Sequence, residues 1–151
     1  MNRWLLLVAV FVGLGLSGCS HNNLPGGKPP KVLIAVDNKT YEALLGTYCW
    51  GNTCVDTIGP VEMLEDEEPI RVKPGETISL MMDYEPKPNE FYVEQMSEGE
   101  EKEIVVQDNQ FTAPSEEGIY YYVYGAWWMD EEVENLSHGD AFYAFALEVG
   151  L

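Results

Sequence analysis

The sequence predicts an all-β, antiparallel β-sandwich of about seven to nine strands that follows a signal peptide and a short spacer. Short runs rich in Val, Ile, Thr and aromatic residues recur along the chain, and Gly, Pro, Asn or acidic clusters separate them. Stretches with the period of a helix are nearly absent. The segments that fit strands are residues 31–36, 40–50, 53–58, 70–73, 77–84, 90–96, 103–107, 118–129 and 140–149.

The first 18 residues have the layout of a cleaved secretory signal peptide, in which Arg3 precedes an apolar run from Trp4 to Leu16. This run is shorter than the roughly 20 apolar residues of a transmembrane helix. The LSGC motif at residues 16–19 resembles the lipobox of bacterial lipoproteins, whose Cys receives a diacylglyceryl group and becomes the new N-terminus. The resemblance implies a lipid anchor on Cys19, and the alternative is an ordinary signal that releases a secreted protein.

A spacer and one domain follow the signal. Residues 19–30 are rich in Pro, Gly and Asn without apolar periodicity, which predicts a flexible, lipid-anchored spacer that lifts the domain off the bilayer. Residues 31–151 have the length of one domain, and we expect them to form the β-sandwich. The lipoprotein resemblance implies that this domain lies on the extracytoplasmic face of the bacterial cell membrane.

The charge of the chain limits its partners. All 26 acidic residues but only seven of the eight basic residues lie beyond the signal, so the mature side chains carry a net charge of −19. Nucleic acids, anionic lipid headgroups and anionic wall polymers would be repelled. We therefore expect a cationic partner, or a carbohydrate or protein partner in the cell envelope. The alternative is that the acidity serves solubility alone.

Two predicted strands indicate which side chains face the core. Apolar residues alternate along 77–84, where Met81 is the one discordant position, and they alternate less cleanly along 140–149. The inward residues would be Ile78, Leu80, Met82, Tyr84, Ala141, Tyr143, Phe145, Leu147 and Val149, with Phe142, Ala144 and Ala146 on the opposite face of the last strand.

The turns between these strands carry a second resemblance. Residues 72–76 place Pro and Gly at the second and third positions of a type II turn, where Gly takes the positive φ easily. Together with residues 113–114, 118–120 and 139–141, this resembles the turn pattern of small Ig-like domains in bacterial exported proteins. The resemblance covers roughly residues 70–149 and implies no functional residues.

The segment 48–55 predicts a disulfide-bridged hairpin. If the Gly-Asn pair at 51–52 forms a type II′ turn, Cys49 and Cys54 form the second cross-strand pair. Cα atoms in such pairs are about 4.5 Å apart, within the range that a disulfide spans. Because an exported domain is in an oxidising compartment, we expect a Cys49–Cys54 bridge. A redox-active dithiol is the alternative.

The segment 118–129 is aromatic on both faces. Tyr120, Tyr122, Tyr124 and Trp128 share one face, and Ile119, Tyr121, Val123 and Trp127 share the other. If one face packs in the core, the other either lies under a loop or forms an exposed aromatic patch, which marks a binding site. We therefore predict a carbohydrate or hydrophobic-ligand site among Tyr120, Tyr122, Tyr124, Trp127 and Trp128. The alternative is a central strand covered on both faces.

Acidic loops are candidate cation sites. Calcium takes about six to eight oxygen ligands, which loops at one end of a sandwich could supply. The candidate ligands are Asp130, Glu131 and Glu132, with further acidic clusters at 65–68 and 98–101. No ordered ligand motif accompanies them, so solvated acidic loops are the alternative.

The sequence contains no evident catalytic set. His21 lies in the spacer, so nucleophilic catalysis would depend on His138, and neither a Gly-x-Ser-x-Gly elbow nor a phosphate-binding Gly-rich loop is present. A blue-copper site needs two His and a thiolate Cys, whereas the C-terminal half of the chain has one His and no Cys. We expect no catalytic residue and no cofactor, and a function as a non-enzymatic binding or accessory module. The alternatives are a calcium-binding domain, a purely structural domain and a small cell-envelope hydrolase.

Overall fold

The computed structural model describes residues 24–150, which form a β-sandwich of eleven strands and one short helix. The predicted all-β, antiparallel sandwich is confirmed, whereas the predicted signal peptide and Cys19 lie outside the described residues. In chain order the elements are β1 (Leu33–Val36), β2 (Lys39–Glu42), β3 (Leu44–Trp50), β4 (Thr53–Val55), α1 (Pro60–Met63), β5 (Ile70–Val72), β6 (Thr77–Met81), β7 (Glu90–Ser97), β8 (Glu100–Ile104), β9 (Gln110–Thr112), β10 (Gly118–Met129) and β11 (Ser137–Val149).

Two sheets make up the sandwich. The small sheet has the strand order β2-β1-β6-β9, and the large sheet has the order β4-β3-β11-β10-β7-β8. β5 pairs in parallel with the end of β11, and the other strand pairs of the described chain are antiparallel. β10 and β11 therefore lie at the centre of the large sheet, with neighbours on both sides.

The core lies between the sheets and is centred on β10 and β11. The Tyr122 ring stacks on Phe145 with a centroid distance of 5.0 Å, and its hydroxyl donates a 2.9 Å hydrogen bond to Gln95 Oε1. Burial raises the pKa of Tyr122 well above its usual range, so the hydroxyl stays a neutral donor. The inward residues predicted for the last strand all belong to this core.

The predicted strand 40–50 is divided because the chain crosses from one sheet to the other at Ala43. β2 returns along β1 through Asp37 and Asn38, whose φ angles of +44° and +63° fit a type I′ turn. β3 then pairs with β11 in the large sheet. Ala43 is buried at the crossing, and its N–H donates a 3.0 Å hydrogen bond to the Val32 carbonyl. A continuous run of strand-forming residues does not reveal this crossing.

The edge strand β8 begins three residues before the predicted segment 103–107. Its sequence, EEKEI, is almost entirely charged and exposed, which is how natural proteins protect a sheet edge from pairing with other chains. Apolar alternation therefore could not locate it. The short strand β9 and the helix α1 were not predicted either, since each has at most four residues.

Residues 24–30, which we call the N-terminal strap, pack on the sandwich although the sequence predicts a flexible spacer there. Three aromatic side chains donate hydrogen bonds to its backbone carbonyls: Trp50 Nε1 to Gly26 at 3.1 Å, Tyr84 Oη to Pro25 at 2.7 Å and Tyr143 Oη to Pro30 at 2.6 Å. Pro29 is buried. The strap carbonyls thus provide acceptors for the partly buried Trp50 and Tyr143 donors, which would otherwise lose hydrogen bonds on burial.

The predicted Cys49–Cys54 disulfide is confirmed, and it joins β3 to the edge strand β4. The two Cα atoms are 4.1 Å apart, and Gly51 in the turn has a φ of +59°, as a type II′ turn requires at that position. In the chain-entropy account, closing so short a loop stabilises the fold by only about 2 kcal/mol. The bridge mainly fixes the register of this hairpin.

Candidate functional site

The predicted aromatic site divides between the two faces of the large sheet. Tyr122, Tyr124 and Trp128 are 0%, 7% and 3% exposed, so they belong to the core and not to a surface patch. Tyr120 packs partly buried against the same core, and its hydroxyl donates a 3.1 Å hydrogen bond to the Glu116 carbonyl. This face is covered because the small sheet lies over it. These four side chains therefore pack in or against the core, as expected if this face of the strand is covered.

Trp128 also closes one end of the sandwich. It forms an end cluster with Trp50 and Tyr84, in which the ring centroids are 4.9 to 5.8 Å apart in edge-to-face geometry. Trp128 Nε1 donates a 2.7 Å hydrogen bond to the Pro86 carbonyl. The end cluster contacts the N-terminal strap, and its donors are used within the fold.

Trp127 points the other way, onto the outer face of the large sheet. It stacks on Tyr92 with a centroid distance of 5.5 Å and meets Phe142 edge to face at 5.3 Å. All three rings are partly exposed. We call Tyr92, Trp127 and Phe142 the aromatic platform. Of the five aromatic residues predicted from the sequence, Trp127 is the one that lies on this surface.

Gly125 leaves room for the three platform rings to converge. A Cβ at this position would lie 2.7 Å from Tyr92 Cε1, 3.0 Å from Trp127 Cη2 and 3.2 Å from Phe142 Cε1. The register explains why the rings converge there, since Gly125 is opposite Tyr92 on β7 and opposite Phe142 on β11. Rings from three adjacent strands therefore occupy the space that a side chain at position 125 would take.

An outer groove of about 410 Å³ begins at the platform, where Tyr92 and Phe142 form part of its lining. Val123 and Ala144 line it from the two central strands, and Met63 from α1 contributes to one wall. The remaining lining residues are Gly46, Thr47, Thr57, Ile58, Gly59, Pro60, Glu94, Met96, Glu101 and Tyr143. This volume is within the range of about 300 to 1,000 Å³ that is usual for small-ligand sites.

The wall beside α1 is held by contacts to β3. The Thr57 N–H donates a 3.1 Å hydrogen bond to Thr47 Oγ1, and a Cβ on Gly46 would be only 3.3 to 3.5 Å from its neighbours, which include Met63 Sδ. Leu64, just after α1, packs on Ala144 and Ala146 in a second apolar cluster. These contacts fix one side of the groove while leaving Ile58 66% exposed at its rim.

Asp140 lies on the same outer face, next to Cys49 and Trp127 in the sheet register. Burial raises the pKa of its carboxyl group, and a hydrogen bond from the Cys49 backbone partly offsets this effect. A partly desolvated carboxylate beside an aromatic platform gives this region a negative electrostatic potential.

The predicted cation ligands Asp130, Glu131 and Glu132 do not converge on a common point. Asp130 Oδ1 accepts hydrogen bonds from the Glu132 and Val133 N–H groups at 2.8 and 2.7 Å, and its Oδ2 lies 2.9 Å from His138 Nε2. Glu131 and Glu132 are exposed. Between residues 24 and 150, no group of three or more His, Cys, Asp or Glu side chains is placed to hold a metal ion. Asp130 instead shapes the turn between β10 and β11.

His138, the candidate base of the hydrolase alternative, is the partner of Asp130 in this turn. The neighbouring Ser137 hydroxyl donates a 2.9 Å hydrogen bond to the Gly139 carbonyl and is therefore directed at the backbone. The contacts of His138 and Ser137 therefore stabilise the turn between β10 and β11.

Comparisons with protein-family models, with curated proteins and with solved structures find no match to this chain. In residues 24–150, no helix has the length and apolar character needed to cross a membrane.

Sequence reasoning missed Tyr92, Phe142 and Gly125 as site residues. Alternation along the last strand did place Phe142 opposite the inward residues, and Tyr92 directly precedes the buried Val93. The signal was thus present within each strand. What the sequence lacked was the register of β7, β10 and β11, which brings the three residues together.

Replacing Asp130 tests its role in the turn through pH. The N–H groups of Glu132 and Val133, and then His138, hold the pKa of Asp130 below its usual value. The ionised carboxylate therefore stabilises the fold above the unfolded-state pKa of about 3.9 and loses this contribution as the pH falls through the lower folded-state pKa. We expect Asp130→Asn to lower the free energy of unfolding at neutral pH, and the difference from wild type to shrink in acid.

Chemical denaturation at several pH values measures this difference. The matched control is Glu131→Gln, which removes an exposed carboxylate from the same turn and should change stability little at any pH. A penalty for Asp130→Asn that stayed constant from neutral pH to well below pH 3.9 would contradict the assignment.

Proposed function

We propose that the protein is a lipid-anchored, extracytoplasmic binding module, and that its ligand site is the outer groove with the adjoining aromatic platform. The signal layout and the LSGC motif at residues 16–19 support export and acylation at Cys19. The Cys49–Cys54 bridge supports the same localisation, because disulfides persist in oxidising compartments.

One observation carries the binding proposal: three partly exposed aromatic rings lie together beside an apolar groove. Aromatic side chains bury more apolar area than other residues, and they are usually placed in cores or at interfaces. Here the core has its own aromatic set on the opposite face of β10, so packing of the sandwich does not account for Tyr92 and Trp127 on the outside. A ligand that covers the platform would remove this apolar surface from water.

The strap limits the distance and orientation of the domain relative to the membrane. Since residues 24–30 pack on the sandwich, only residues 19–23 remain between the proposed lipid on Cys19 and the first described residue. Five residues reach at most about 18 Å when fully extended. The end cluster beside the strap would therefore lie close to the bilayer. The outer groove, on a face of the large sheet, would then open parallel to the membrane surface.

The anchor is tested by Cys19→Ala in cells that export the protein with its own signal. We expect wild type in the membrane fraction and the variant in the soluble extracytoplasmic fraction, because only the variant lacks the acylation site. Ser20→Ala, which alters the adjacent residue, is the control and should stay with the membrane. Membrane association of Cys19→Ala equal to that of wild type would contradict the proposed anchor.

The groove is tested with the soluble chain 20–151 and the neutral probe 4-phenylbutanol, followed by NMR. We expect the amide resonances of Val123, Gly125 and Phe142 to shift on titration. Tyr92→Leu should weaken binding by about 3- to 10-fold, since one aromatic contact contributes about 0.5 to 1.5 kcal/mol.

The matched control for this titration is Phe91→Leu, because Phe91 is an exposed aromatic residue on the opposite face of the same strand. It should leave the binding of 4-phenylbutanol unchanged. Shifts that do not cluster around the groove, or that survive Tyr92→Leu undiminished, would contradict the proposed site.

A further inference from the structure

Carboxylates line one side of the outer groove without a cation to balance them. Glu94 and Glu101 belong to its lining, and Glu103 is the cross-strand partner of Glu94 between β7 and β8. Like charges directly opposite each other in a sheet are destabilising. Among the ion pairs within residues 24–150, none involves these three side chains.

Basic side chains are missing from the groove itself, since its described lining contains no Lys or Arg. Within the described strands of the large sheet, the two such residues are Lys102 and Arg71. Lys102 alternates with Glu101 and Glu103 and so points to the other face of β8, while Arg71 is paired with Glu148 at 3.2 Å. The groove therefore attracts cations and repels anions.

The aromatic platform reinforces this preference. The face of an aromatic ring carries negative charge density and attracts an ammonium or guanidinium group within about 6 Å of its centre. Burial and, secondarily, the Glu94 carboxylate raise the pKa of Tyr92, which agrees with their placement on one face of β7. A cation at this position would contact the Tyr92 ring and the Glu94 carboxylate at once.

The remainder of the lining is uncharged and mostly apolar. Val123, Ala144, Ile58 and Met63 offer no charge to a ligand, and the volume of about 410 Å³ suits a compact molecule more than a folded partner. An occupant needs an apolar body to fill the groove and a positive group to meet Glu94.

Resting on the proposed function, we infer that the outer groove binds a small organic cation with an apolar body, of the amine or quaternary ammonium class. The positive group lies between Glu94 and the ring of Tyr92, the apolar body lies along Val123 and Ala144, and Glu101, which is opposite Met96, adds negative charge farther along the groove. The excess of acidic residues in the whole chain adds a long-range attraction for such a ligand.

Three probes of equal length separate the charge preference from apolar binding: 4-phenylbutylammonium, 4-phenylbutanol and 4-phenylbutyrate. Each is titrated into the chain 20–151 near pH 7 and followed at the amides of Val123 and Gly125. We expect the ammonium to bind on the order of 10-fold more tightly than the alcohol, and the carboxylate to bind most weakly.

The double variant Glu94→Gln, Glu101→Gln should reduce the advantage of the ammonium over the alcohol to about 2-fold or less, while the affinity for the alcohol stays the same. The matched control is Glu100→Gln, which removes a carboxylate of β8 that points to the opposite face. It should leave the roughly 10-fold preference in place.

The outcomes distinguish this inference from the function on which it rests. Equal affinity for the ammonium and the alcohol would overturn the cation preference but would not contradict the proposed binding function. If none of the three probes shifted the groove resonances, both the cation preference and the proposed ligand site would be contradicted. Binding of a Lys-Phe-Lys peptide far more tightly than the simple ammonium would assign the groove to a polypeptide and overturn the choice of a small ligand.

Discussion

The pairing of β10 with β11 is the constraint on which the rest of the structure depends. The two strands pair over the full length of β10, and both are flanked by further strands of the large sheet. Their inward residues form the centre of the core, where Tyr122 stacks on Phe145 and bonds to Gln95. Because side chains alternate along a strand, fixing these inward residues also fixes what points outward.

The candidate site is a consequence of that alternation. Trp128 faces the core and the strap, so its neighbour Trp127 faces out, and the register of the adjacent strands brings Tyr92 and Phe142 to it over Gly125. Acidic residues of β7 and β8 and the segment around α1 then form the sides of the groove. The platform is built on three adjacent, hydrogen-bonded strands, and such preorganisation lowers the entropic cost of binding a ligand there.

The sequence predicted the features that depend on local pattern. The alternation of the last strand and the Cys49–Cys54 pair are set by neighbouring residues, and both are found in the structure. The contacts of the strap involve distant donors such as Tyr143, which a Pro- and Gly-rich composition does not reveal. The aromatic residues of β10 were recognised, but their division into core and surface required knowledge of which face the small sheet covers.

The most direct test of this account compares the three indole N–H groups of the chain 20–151 by NMR with a soluble gadolinium chelate, which broadens signals near the surface. We expect strong broadening for Trp127, and protection of Trp50 and Trp128, whose indole N–H groups donate hydrogen bonds to the Gly26 and Pro86 carbonyls. Trp127→Phe assigns the exposed signal. Equal broadening of Trp127 and Trp128 would contradict the division of β10 into a core face and a binding face.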